Sequence, residues 1–301
     1  MIKLRHVLLF IVTLGSIGLL TACNTPMVLD PKGMIAAHEK KLMIDALLLM
    51  LTIVIPVIIL TLLIARKYRA SNTKAKYSPN WAHGTALEAG WWVLPIIIIS
   101  VLGTMTWRTT HELDPYKPLD VKGAGQPVTI QVIALDWKWL FIYPDQNIAT
   151  VNYIEFPVNT PVNFLITSDA PMNSFQIPQL GGQIYAMAGM QTKLHLIADA
   201  PGDYKGRSVS FSGQGFTGMT FIAHAGSEQE FDAWVKSVKA SKNILDMNTY
   251  NKLVQPSENN PVMLFSSVTN NLFGNVIMKY MGPDMSHMSN NQNTMQHSNK
   301  N

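Results

Sequence analysis

The chain has 301 residues, 48% of them hydrophobic and 14% charged, with a formal net charge of +4. So little charge is unusual for a soluble protein and directs attention to membrane segments. Residues 1–110 carry 11 Lys/Arg against 4 Asp/Glu (net +7), and residues 111–301 carry 12 against 15 (net −3). The basicity thus belongs to the membrane-flanking part and gives no ground for a nucleic-acid partner, while a lone cysteine excludes an internal disulfide.

The first 22 residues read as a signal peptide: Lys3 and Arg5, an apolar stretch from Val7 to Leu20, then small residues before Cys23. A cysteine directly after the cleavage point has the form of a bacterial lipoprotein signal, with Cys23 as the lipid attachment site. The alternative, a third membrane helix with a chance cysteine, has only 14 apolar residues to span with. The mature chain is expected to begin at Cys23, and residues 23–110 to form a lipidated N-terminus and a two-helix hairpin in membrane lipid.

Ala46 to Ala65 is 20 residues without a charge, with Pro56 inside as a tolerated kink. Gly90 to Trp107 is a second, shorter run, opened by Trp91-Trp92 and closed by Trp107 as interfacial anchors. The spans are placed at about 43–65 and 90–108. Between them lie Arg66, Lys67, Arg69, Lys74 and Lys76, which the positive-inside rule assigns to the cytoplasm. Both mature ends then face the other side, in agreement with an exported Cys23. Asp45 and Glu88 sit near span ends. Each reads either as a solvated helix end or, for Glu88 above all, as an ionisable group with a use.

From about Thr110 the periodicity shortens. Pro127 to Leu135, Trp137 to Tyr143, Thr150 to Phe156, Val162 to Thr167, Thr192 to Ile197, Gly202 to Ser212 and Gly218 to His224 read as strands of a sandwich over 111–226. Ser227 to Ser241 has Phe231, Trp234, Val235 and Val238 at helical spacing and opens a C-terminal helical arm over 227–281. Ile244 to Tyr280 reads as largely helical, broken by Pro256 and Pro261. Residues 282–301, rich in Asn, Ser, Met and His, read as a disordered tail that could bind copper weakly. Scattered Met172, Met187, Met190 and Met219 read as gap-filling or interface residues.

The order of these parts and several motifs resemble subunit II of haem–copper respiratory oxidases. Asp136-Trp137-Lys138-Trp139 resembles that family's aromatic segment opening the sandwich. Met172 to Pro178 resembles the loop carrying the first copper-ligating histidine, and Arg207 to Met219 the loop carrying the rest of the dinuclear copper site, CuA. Tyr68 to Asn72, Tyr77 to Trp81 and Gln183 to Thr192 resemble the quinol-oxidase branch of the cytochrome bo type. The resemblance implies a membrane-anchored fold: two N-terminal transmembrane helices, an all-β cupredoxin-like sandwich and a short helical C-terminal region.

It also implies where copper ligands have been lost. The histidine positions hold Asn173 and Phe216, the cysteine positions Ser208 and Ser212, the glutamate position Ser210, and only Met219 is retained. Serine cannot bridge copper as thiolate does. The resemblance therefore implies a subunit with no metal, cofactor or catalytic residue of its own and no cytochrome c as partner. Trp137 and Trp139 then read as core or contact residues. Oxidase subunit I and other subunits are the implied partners, with haem b, haem o, copper and ubiquinol expected in subunit I. The resemblance further places Glu88 at the mouth of a proton channel in that partner, as a possible entry point. Two alternatives stand beside this: a cytochrome c oxidase subunit II, opposed by Ser208 and Ser212, and a free-standing cupredoxin-like lipoprotein with a binding or assembly role.

Overall fold

In a computed structural model of the chain, residues 27–281 are described apart from Tyr77, Asp120, Lys122 and Ala124; Cys23 and the 282–301 tail lie outside them. A helix α1 (Met34–Lys67) and a second, α2 (Thr85–Glu112), touch each other and are long and apolar enough to cross a membrane. Both exceed the expected spans, because the helix needs no apolar residue to continue beyond a bilayer. Asp45 therefore lies about three turns inside α1, exposed, and is not a helix end. Leu62, Ile99, Trp92 and Trp107 are each about two-thirds exposed, as lipid-facing side chains would be.

Strands β1 (Val128–Leu135), β2 (Lys138–Tyr143), β3 (Ile148–Val151), β4 (Tyr153–Pro157), β5 (Val162–Ser168), β6 (Asn173–Gln176), β7 (Ile184–Ala186), β8 (Thr192–Leu196), β9 (Gly202–Ser208), β10 (Thr220–Gly226) and β11 (Met263–Phe265) come after the helices. One sheet runs β11-β3-β2-β1-β5-β8 and the other β4-β10-β9-β6-β7, with β1/β5 and β4/β10 parallel and the remaining pairs antiparallel. Thr150 to Phe156 is not one strand. Asn152 takes a left-handed φ of 57°, which Asn tolerates, and there the chain passes from the first sheet to the second. The facing surfaces enclose an aromatic core in which Trp139, Phe141, Phe175 and Phe221 meet with centroids 5.0–6.4 Å apart. Gly206 is required there, since a Cβ would collide with the Phe221 ring.

The arm is less helical than its sequence suggests. Helices α3 (Glu228–Lys239), α4 (Met247–Leu253) and α5 (Leu272–Met278) are short, and Met263–Phe265 is strand β11, which extends the first sheet beside β3. Helix α3 closes the inner core through Phe231, Val235 and Val238, and the rest of the arm covers the outer face of that sheet, making a second core from Leu140, Ile142, Leu245, Leu253, Phe265 and Phe273. Polar ties accompany it. The fully buried Asp169 carboxylate accepts from Tyr250 Oη at 2.7 Å, Tyr280 Oη at 2.6 Å and Lys279 Nζ at 2.7 Å. Burial, then the Asp169 hydrogen bond, push the Tyr250 and Tyr280 phenols up, while the same carboxylate raises Lys279.

The start of α1 is built into the sandwich. Lys32 N donates to Gln179 O at 2.7 Å, Asp199 N to Lys32 O at 2.7 Å, and Ala36 N to Leu180 O at 3.2 Å. Gly33 is needed for this approach, because a Cβ would strike Ile197 O. The sandwich is thus fixed to the helix directly.

Candidate functional site

Positions named from the sequence gather at one end of the second sheet. β6 and β9 pair through Phe175↔Ser208, which sets Asn173 beside Ser208, both buried. Ser208 Oγ donates to Asn173 Oδ1 at 3.0 Å and to Ser210 O at 3.4 Å, while Asn173 Nδ2 donates to Pro171 O at 2.8 Å. Ser208 N reaches Met219 O at 3.1 Å, so Met219, 1% exposed, packs against the same pair. The intervening loop carries Ser212, whose carbonyl accepts from Trp137 Nε1 at 3.1 Å, and Phe216, whose ring meets Phe211 at 5.7 Å. Trp139 lies in the aromatic core and Trp137, at a left-handed φ of 62°, packs against its edge.

The donor set of this cluster is an amide, three hydroxyls, a phenyl and one thioether. Copper held by bridging thiolates and imidazoles needs soft sulfur and ring nitrogen, and a serine hydroxyl stays protonated near neutrality. The residues do not fit a dinuclear copper centre. The Ser208 and Asn173 side chains instead satisfy each other, while the buried Ser212 Oγ has no hydrogen-bond partner. Among the described residues, no group of three or more His, Cys, Asp or Glu is gathered as a metal site.

Glu88 is far from that cluster. It lies in the first turn of α2, half-exposed, with Oε1 3.4 Å from Gly84 N and 3.6 Å from His83 Nδ1. The 24 residues from Glu88 to Glu112, where α2 ends before the sandwich, span about 36 Å at helical rise. Of the Met residues named from the sequence, Met172 and Met190 are half-exposed, whereas Met219 is buried.

A cleft of about 510 Å³ at the junction of α1, α2 and the sandwich has no counterpart among the sequence expectations; His38, Glu39, Glu112, Asp114 and His195 line it beside apolar residues such as Ile35, Leu119 and Leu194. No spacing signal could have found it, because these residues come from three distant segments. Inside it, His195 Nδ1 lies 2.7 Å from Asn163 Oδ1, and burial pulls the imidazole below its ordinary pKa.

Two membrane-length helices carrying a two-sheet sandwich, with a hydroxyl and amide cluster at its end, define a membrane-anchored sandwich subunit without a copper-binding ligand set. A family model described as the COX Aromatic Rich Motif matches residues 239–284, which include Tyr250, Phe265, Phe273 and Tyr280 of the arm. The cytochrome bo(3) ubiquinol oxidase subunit 2 of Pseudomonas putida is 57% identical over 264 residues, covering 88% of this chain and 83% of that protein. The ubiquinol oxidase subunit 2 of Acetobacter aceti is 52% identical over 267 residues, covering 89% and 86%. The solved periplasmic domain of subunit II of cytochrome oxidase of Bradyrhizobium japonicum matches at 21% identity and a TM-score of 0.36, covering 36% of this chain and 91% of that one. The sequence relatives decide the matter: the chain belongs to the ubiquinol oxidase subunit 2 family of haem–copper oxidases.

Proposed function

We propose that this chain is the non-redox subunit of a proton-pumping ubiquinol oxidase in aerobic respiration. Electrons pass from ubiquinol to haem b, haem o and copper in a partner subunit I, and this chain binds none of them and docks no cytochrome c. Two spans and an acylated Cys23 hold it in the bacterial inner membrane, with the sandwich in the periplasm. The observation that carries the reading is the Ser208–Asn173 hydrogen bond at 3.0 Å, where the family resemblance calls for thiolate and imidazole. A neutral hydroxyl bonded to an amide offers an electron no place to rest, so entry must lie elsewhere in the complex. The rigid seat of α1 on the sandwich suits a structural role, since it fixes the domain against the membrane hairpin.

Glu88 is proposed as an entry point for protons bound for the partner, on the strength of its place beside the basic loop at a membrane boundary. Purification in mild detergent tests the whole reading. Haem with b- and o-type spectra should accompany the chain, and copper added to the chain alone should give no purple mixed-valence signal. Purification without haem, or appearance of that signal, overturns it. Glu88→Ala should slow quinol oxidation at equal haem content, with Glu88→Asp retaining part of the rate; unchanged turnover at every pH removes the proton role.

A further inference from the structure

Strand β2 turns Trp139, Phe141 and Tyr143 toward the aromatic core and Lys138, Leu140 and Ile142 toward the arm. Lys138 is the one charged side chain of that strand, and it is 1% exposed. Its Nζ donates to Gln255 O at 2.8 Å and to Ser257 Oγ at 2.7 Å. Neither acceptor carries a charge. An ammonium has three donors, so these two bonds leave one unassigned. Among the described residues no carboxylate pairs with it. Burial pulls its pKa below the ordinary lysine value, and the charge of Asp136 opposes that only in part. A buried cation with no carboxylate at ion-pair distance is costly, and such groups are ordinarily paired directly.

The counter-charge has a place to go. Lys138 lines a cavity of about 440 Å³ between the sheet and the arm, together with Lys252, the hydroxyl-bearing Thr249 and Ser257, and a floor that includes Leu253 and Phe265. Two ammonium groups and no carboxylate line it among the described residues. We propose that this cavity binds a small oxyanion, a carboxylate or a phosphate, between Lys138 and Lys252. The buried Lys138 supplies a fixed charge already oriented by Gln255 and Ser257, and the exposed Lys252 closes on the anion from the arm. A carboxylate with a short hydrocarbon body would also use the apolar floor, whereas free phosphate would use only the polar rim. Because the lysines belong to the sheet and to the arm, an anion held by both ties the arm to the sandwich and stabilises its docking by mass action.

The test is calorimetric titration of the full chain in mild detergent with potassium propionate and, separately, inorganic phosphate, with chloride as the ionic-strength control. Saturable binding of one anion per chain is expected, abolished in Lys138→Met and about tenfold weaker in Lys252→Gln, the loss of one charge-assisted hydrogen bond. Lys138→Met keeps the length and apolar packing of the stem beneath the arm. Should that variant fail to fold, the exposed Lys252→Gln decides the question alone. Tighter binding of propionate identifies an organic acid as the ligand, and tighter binding of phosphate identifies the free inorganic anion. Saturable binding of neither, or parental affinity in Lys252→Gln, overturns the proposal.

Discussion

The two faces of the six-stranded sheet are both buried, yet they are held differently. On the inner face, Trp139, Phe141 and Tyr143 interlock with Phe175, Phe221 and Phe231 of the opposite sheet and α3, mainly through ring contacts, with Tyr143 Oη as the polar exception, donating to Glu155 O at 2.9 Å and accepting from Glu155 N at 3.0 Å. On the outer face, Leu140 and Ile142 pack under the arm beside a set of polar ties: Lys138 to Gln255 and Ser257, Asn152 Nδ2 to Asn260 O, and Asp169 to Tyr250, Lys279 and Tyr280. Apolar packing is tolerant of register, whereas a buried ammonium or carboxylate is satisfied in only one arrangement. The sandwich is thus stabilised chiefly by buried area, whereas polar ties also fix the position of the arm.

The inner face should show the largest loss. Trp139→Ala removes the ring that meets both Phe175 and Phe221, and a truncation of this kind in a closed core costs about 3–5 kcal/mol. The midpoint of denaturant unfolding should fall for the sandwich and arm together. A change below about 1 kcal/mol would mean that the inner face repacks freely and that area is not what holds it.

The outer face should yield locally. Asp169→Ala leaves Tyr250, Tyr280 and Lys279 without their shared acceptor, at a cost of about 2–3 kcal/mol. Loss should appear as faster tryptic cleavage at Lys252 and Lys279, with the fragment containing β1 to β10 still resistant. Uniform loss of resistance along the chain would show that arm and sandwich unfold as one unit and that the two faces are not separable.

The same two faces mark where the sequence was legible. Pro127 to Leu135 and Val162 to Thr167 are β-branched and apolar runs bounded by turn residues, and they became β1 and β5 with their ends shifted by a residue. Lys138 to Tyr143 shows no alternation because both of its faces are covered, so its sequence could not say that a second layer lay outside it. β11 has no signature in the sequence because three residues shortly after Pro261 make no periodic signal; only pairing with β3 defines them. At the candidate site, resemblance put Asn173 and Ser208 in separate loops, but their contact is set by the β6/β9 register, which a single sequence does not print. Lys138 stands out in the sequence only through its neighbours Trp137 and Trp139, and its own burial is invisible without the arm in place.

The smallest effect tests whether an exposed polar tie behaves like the buried ones. α3 opens with a capping box: Glu230 N donates to Ser227 Oγ at 3.2 Å, and Ser227 N donates to Glu230 Oε2 at 2.6 Å. The hydrogen bonds from Ser227 hold the Glu230 carboxyl below its ordinary value of 4.5, with His224 adding to the effect. A carboxyl lowered on folding contributes stability that is fully present above its unfolded value and is lost as pH falls through the folded one. Glu230→Gln keeps an oxygen for Ser227 N but cannot titrate. The parent should therefore melt slightly above Glu230→Gln at neutral pH, and the two melting curves should converge as the pH drops below about 4.5. Melting temperatures of parent and variant in detergent, compared from neutral pH downward, measure this directly. A difference that stays constant across that range would show that the carboxylate charge adds nothing at the exposed start of α3, and that charge matters here only where the arm buries it.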